Sequence, residues 1–96
     1  MGRKVVLLVT MPKAKVIKVV DGDTVQLPYK KFIRLADVDA PEMGTKGAAA
    51  AKHKLEDLVL NKTISYTEDA KSYDRIVGDV KVGSKSVNKE MNKFLK

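Results

Sequence analysis

Apolar and polar positions alternate with a period of two through the first third of the chain, and that period predicts strands. Val5 to Thr10 is a β-branched and leucine run ended by Met11-Pro12, where proline breaks a ladder or bends a strand. Lys13 to Val20 resumes the pattern, with lysines between Ala14, Val16, Ile17 and Val19-Val20. Asp21-Gly22 is a two-residue hairpin signal, read as a type I′ turn with positive φ at both positions. Asp23 opens the next strand, Thr24 to Leu27, with Val25 and Leu27 on one face. Pro28-Tyr29-Lys30 turns the chain again. Lys31 to Val38 then completes a meander with Ile33 and Leu35 on one face and Arg34 on the other.

After Glu42 the period changes. Gly44-Thr45-Lys46-Gly47 reads as loop, with Thr45 as candidate N-cap. Ala48 to Leu60 predicts a helix whose stripe is Ala48, Ala51, Leu55, Leu58 and Val59. Thr63 to Thr67 is a half-buried strand, Glu68 to Asp74 a polar loop, and Arg75 to Val82 another strand. Gly83-Ser84 turns, and Val87, Met91, Phe94 and Leu95 mark a short amphipathic helix at the end. The fold class is mainly β with helices (α+β). A small, twisted antiparallel sheet with a helix after its third strand predicts a five-stranded oligonucleotide-binding barrel, the helix lying between strands 3 and 4.

Composition narrows the chemistry. The 96 residues form one domain, 44% hydrophobic and 32% charged. There is no cysteine, which excludes disulfides, thiolate zinc sites and cysteine nucleophiles. No segment is long enough to span a membrane, and the Val5 to Val9 run after Arg3-Lys4 is too short for a secretion signal. No membrane partner is therefore expected, and the compartment, secreted or cytoplasmic, is left open. If the Val5 to Val9 strand exposes an edge, a homodimer is one expected outcome. The net charge of +7 favours a polyanion, nucleic acid first.

Against that basic background, two acidic clusters stand out: Asp21-Gly22-Asp23-Thr24 and Asp39-Ala40-Pro41-Glu42. Arg34 lies between them and Arg75 after them. Asp21-Gly22-Asp23 alone reads as a turn; the arginines and second cluster change that reading. Carboxylates hold hard divalent cations through oxygen, and guanidinium groups clamp phosphate oxygens. The meander predicts Asp23 and Asp39 at the same end of the sheet, with both arginines outside the core. Such a set suits phosphodiester cleavage. By contrast, His53, flanked by lysines, reads as plain surface. Lys81, Lys85, Lys89 and Lys93, recurring every four residues, read as a solvated face or a phosphate track.

The segments Val19-Val20-Asp21-Gly22-Asp23-Thr24-Val25, Ile33-Arg34-Leu35-Ala36-Asp37-Val38-Asp39-Ala40-Pro41-Glu42 and Tyr73-Asp74-Arg75 together resemble the staphylococcal nuclease-like (thermonuclease) family. The resemblance covers roughly residues 13 to 95, with the motifs in the family's order. It implies a calcium-dependent nuclease acting on DNA and RNA with little sequence preference. It implies Ca²⁺ held by Asp23, Asp39 and the backbone carbonyl of Ala40, with Asp21 as an outer acid. It implies Arg34 and Arg75 as phosphoryl-neutralising groups, Glu42 as the residue that positions or deprotonates water, and Tyr73 as a nucleotide contact. The chain departs from the family at Asp74, where glycine is usual, and in a short loop after Glu42 carrying only Lys46. The expected domain is residues 1–96 without the family's third C-terminal helix. The alternative is a non-catalytic nucleic-acid-binding module on the same barrel.

Overall fold

The computed structural model describes residues 11–72 and 75–96, so the Val5 to Val9 run and Tyr73-Asp74 lie outside the described residues. The chain order is β1 (Lys13–Lys15), β2 (Lys18–Asp21), β3 (Thr24–Leu27), β4 (Lys31–Leu35), α1 (Ala48–Val59), β5 (Thr63–Tyr66), β6 (Ala70–Ser72), β7 (Arg75–Gly78), β8 (Val80–Val82), β9 (Lys85–Ser86) and α2 (Val87–Leu95). Two sheets result, ordered β1-β5-β8-β9 and β2-β3-β4-β7-β6. The domain is α+β, with the neighbour pattern of an oligonucleotide-binding fold, although the sheets do not close into one continuous ladder.

Two strands switch sheets, and backbone chemistry shows how. Val16 exchanges hydrogen bonds with the β5 side, its N–H donating to the Lys62 carbonyl and its carbonyl accepting from the Asn61 N–H, both at 3.0 Å. One residue later the Ile17 N–H donates to Gln26 on β3, at 2.9 Å. The single stretch expected from Lys13 to Val20 is therefore bent between Val16, fully buried, and Ile17, 46% exposed. The Arg75 to Val82 stretch is likewise bent at Asp79. There the Thr67 N–H donates to the Asp79 carbonyl, and the Asp79 N–H returns a bond to the Thr67 hydroxyl. The inner faces of both sheets meet α1 through Ala51, Leu55 and Val59 and α2 through Val87 and Met91, all fully buried. Burying a leucine or valine side chain contributes about 1.5–3 kcal/mol, so Leu55 and Val59 fasten α1 to the barrel.

Several local expectations give way to packing. The β2–β3 turn is not type I′, because neither Asp21 nor Gly22 has positive φ. Asp21 pairs with Thr24, and a register shift lies between Val19 and Asp21. Gly22 is required for space: a Cβ there would come within 2.6 Å of the Cβ atoms of both Ala40 and Ala51. Left-handed backbone occurs instead at Tyr29 and Lys30, in the β3–β4 hairpin (φ 64° and 58°). The third meander strand ends at Leu35, before a turn with Asp37 at φ 58°. Gly47, not Thr45, is the N-cap of α1; the Thr45 hydroxyl donates to the Glu42 carbonyl. Part of the expected loop after Glu68 is β6, which pairs with β7. Phe94 remains 44% exposed. Lys81 lies on β8 and Lys85 on β9, so the lysine repeat is not one helix face.

Asn88 locks α2 onto the second bend. Its buried side-chain carbonyl accepts from the Val80 N–H at 2.9 Å, and its amide donates to Ala36 and Gly78 carbonyls at 3.0 and 3.3 Å. Gly78 allows Thr67 to approach, since a Cβ would meet the Thr67 carbonyl oxygen at 1.8 Å. The two nearest atoms belong to the Thr67 backbone carbonyl, which cannot swing aside as a side-chain end can. Gly78→Ala is predicted to cost about 2 kcal/mol or more, read as a Tm fall of at least about 8 °C.

Candidate active site

The β3–β4 pairing sets the site. Thr24 lies opposite Arg34 across an antiparallel register, so the acidic turn before Thr24 and the guanidinium on β4 share one end of the hairpin. The Asp23 carboxylate, 14% exposed, is held from several sides. The Thr24 hydroxyl donates to its Oδ1 at 3.0 Å, and the Ala40 N–H donates to its Oδ2 at 3.3 Å. The latter bond ties the second acidic segment to the first. Asp21 stands next to it and accepts the Asp23 N–H through its own Oδ1 at 3.1 Å.

Arg34 joins both clusters. Its Nη2 lies 3.0 Å from Asp39 Oδ1 and 3.5 Å from Asp23 Oδ2. Its Nη1 donates to the neighbouring Leu35 carbonyl at 3.1 Å, fixing the fork while one nitrogen faces two carboxylates. Asp39 is 95% exposed, so its partner is open to exchange with solvent or ligand.

The second arginine arrives by a different route. Strands β4 and β7 are parallel, with Phe32 opposite Arg75 and Arg34 opposite Val77. Paired residues share a face, and so do residues two apart along a strand. Arg34 and Arg75 therefore stand on the same outer face, one diagonal step apart, about 8 Å between Cα atoms from strand spacing and rise. Ile33 and Ile76, the pair between them, are buried on the other face. Glu42 is exposed on the loop after Asp39, and its carbonyl accepts the Thr45 N–H at 2.9 Å. Tyr73 lies outside the described residues.

The structure thus gathers Asp21, Asp23, Arg34, Asp39 and the Ala40 backbone into one contact network, and sets Arg75 on the adjoining strand. Sequence reasoning missed three supports: the Thr24 hydroxyl, the Ala40 N–H and the Leu35 carbonyl. Only the first has a side-chain signal, the threonine directly following Asp23. The described residues contain no group of three or more His, Cys, Asp or Glu side chains at metal-holding spacing. The all-oxygen donors nevertheless fit a hard cation, which draws on carboxylates, carbonyls and water. Asp23 and Asp39 would hold it, with a backbone carbonyl such as Ala40's.

Electrostatics marks Asp23 as a carboxylate under tension. Burial raises its pKa above the ordinary 3.8, and the hydrogen bonding and charge of Asp21 raise it further. The Thr24 and Ala40 donors pull the other way without reversing the direction.

An acid and arginine cluster on the outer face of an α+β, oligonucleotide-binding-like fold defines the class. Residues 32–94 match the family described as "Staphylococcal nuclease homologue". The chain is 34% identical to "Micrococcal nuclease" of Shigella flexneri, over 79% of this chain and 49% of that protein. It is 33% identical to "Uncharacterized endonuclease" of Haemophilus influenzae, over 82% of this chain and 47% of that protein. The chain belongs to the staphylococcal nuclease homologue family, and spans about half the length of these curated relatives.

The raised pKa carries a stability prediction. Between 3.8 and its raised value, folded Asp23 holds its proton more tightly than the unfolded chain does. Stability therefore falls as pH rises through that window and stays lower above it. Asp23→Asn, measured by urea denaturation in chelator, is predicted to match or exceed the wild type at pH 7. Its advantage over the wild type should shrink as pH drops towards 3.8. An advantage that grows on acidification would contradict this electrostatic account.

Proposed function

We propose that the chain is a calcium-dependent nuclease that hydrolyses phosphodiester bonds within DNA and RNA with little sequence preference. One observation carries the reading: Arg34 holds Asp23 and Asp39 together while Arg75 shares its sheet face. The family membership and the two nuclease relatives support it, as does the net charge of +7.

Attack on a phosphodiester builds negative charge on the phosphoryl oxygens. Arg34 and Arg75 would meet that charge with preorganised donors on one rigid sheet face. Arg34 is already anchored through Nη1 to Leu35, leaving Nη2 to trade its carboxylate contacts for a phosphate oxygen. Glu42, exposed to water, would orient the attacking water and accept its proton. Asp23 and Asp39 would hold the cation, and Asp21 would orient the turn through the Asp23 N–H. When bound, Ca²⁺ supplies Lewis-acid stabilisation of the phosphoryl charge. No sequence reading is built in, because every proposed contact of this set is to phosphate, water or metal. Tyr73 is assigned to the bound nucleotide.

The test is hydrolysis of single-stranded DNA and RNA with calcium and with excess chelator. Activity is expected only with calcium. Arg34→Ala and Glu42→Ala should each lower kcat by about 100-fold or more, with circular dichroism unchanged. Arg34→Lys should not rescue, since an ammonium cannot supply the planar fork. Equal turnover in chelator would overturn the mechanism. Salt-dependent binding with no product would make the chain a binding module instead.

A further inference from the structure

The outer face of the larger sheet carries two cross-strand rows, and Arg75 of the second stands diagonal to Arg34 of the first. The first contains Thr24, Arg34 and Val77, beside the acidic cluster. The second is set by three registers: Lys18 opposite Gln26, Gln26 opposite Phe32, and Phe32 opposite Arg75. Four neighbouring strands, about 4.8 Å apart, thus present an ammonium, an amide, an aromatic ring and a guanidinium in line. This row has no carboxylate. Lys18 and Arg75 are exposed, and Gln26 and Phe32 are partly exposed.

Phe32 is the anomaly. Its strand neighbours Ile33 and Leu35 are fully buried in the core, whereas Phe32 lies on the opposite, polar face with Arg34. A phenyl ring between an amide and a guanidinium gains little from water. It offers a π-face to a flat partner, and stacking on bases is tolerant of sequence because every base has one. Phe32 stands one two-residue step from Arg34, about 6.6 Å along the strand, and directly beside Arg75. A phosphate between the two arginines would leave its adjoining base over this ring. The Gln26 amide, with donors and an acceptor, lies next to the base edge.

We propose that Lys18, Gln26, Phe32 and Arg75 form a base-binding subsite for single-stranded nucleic acid, in which Phe32 stacks on the base next to the phosphate held by the arginines. The subsite rests on nucleic acid being the ligand, but not on catalysis. It requires an unpaired base, so it selects single strands over duplex, where π-faces are covered by stacking. Lys18 at the end of the row supplies a further phosphate contact.

The chain has no tryptophan, so Phe32→Trp installs a single reporter at the subsite. In chelator, where hydrolysis is not expected, its emission should be quenched by oligothymidylate and left unchanged by a blunt duplex or by inorganic pyrophosphate. With calcium, Phe32→Ala should raise KM for single-stranded DNA about tenfold with kcat within about twofold, by the usual value of a base stack. Phe32→Tyr should restore KM, and a matched Tm for all three variants separates stacking from folding. Unchanged KM in Phe32→Ala, or a tryptophan blind to saturating oligothymidylate, would overturn the subsite. Quenching without any hydrolysis by the wild type would sink the nuclease reading and leave the subsite standing.

Discussion

The Asp23 carboxylate is where this structure is joined. Its Oδ2 takes the Ala40 N–H and faces Arg34, so one side chain binds a hairpin turn, a strand and a distant loop. Without that junction the two acidic segments would be separate surface features on a basic protein. The junction is possible because Gly22 lets the turn lie against Ala40 and against Ala51 of α1. The helix, through Ala51, Leu55 and Val59, is itself held by the core. Packing thus fixes the chemistry: a core helix sets how near the turn can come, and that sets where the carboxylate sits.

The junction is costly in isolation. Burial and Asp21 both disfavour the charged form of Asp23, and Arg34 divides its attention between two acids. Burial and like charge gathered on one carboxylate are typical of functional positions, where stability is given up for activity. Strand β7 pairs parallel to β4, which carries Arg75 to the face that already holds Arg34.

Much of this was legible in the residues. Alternation located β3, β4, β5 and the two helices to within a few positions, because their buried side chains obey the periods of strand and helix. The acidic clusters and Arg34 were legible as a set because carboxylates gathered in a basic chain require a reason. What could not be read was set by contacts distant in sequence. The bends at Ile17 and Asp79 arise when a strand exchanges partners, and neither has its own composition signal. The Asp21-Gly22 dipeptide suggested a left-handed turn, yet its glycine answers to Ala51, 29 positions on. Only the parallel register of β4 with β7 shows the Phe32 ring beside Arg75. Leu35 and Ala40 contribute backbone groups, which no side-chain pattern announces.

In the proposed function Asp23 and Asp39, though 16 positions apart, would act as one cation site. Calorimetric titration of calcium into the wild type, Asp23→Ala, Asp39→Ala and the double variant tests it most directly. One site per chain is expected in the wild type, near-complete loss in either single variant, and no further loss in the double, the signature of shared ligands. Independent, additive losses, or undiminished binding in either single variant, would contradict it.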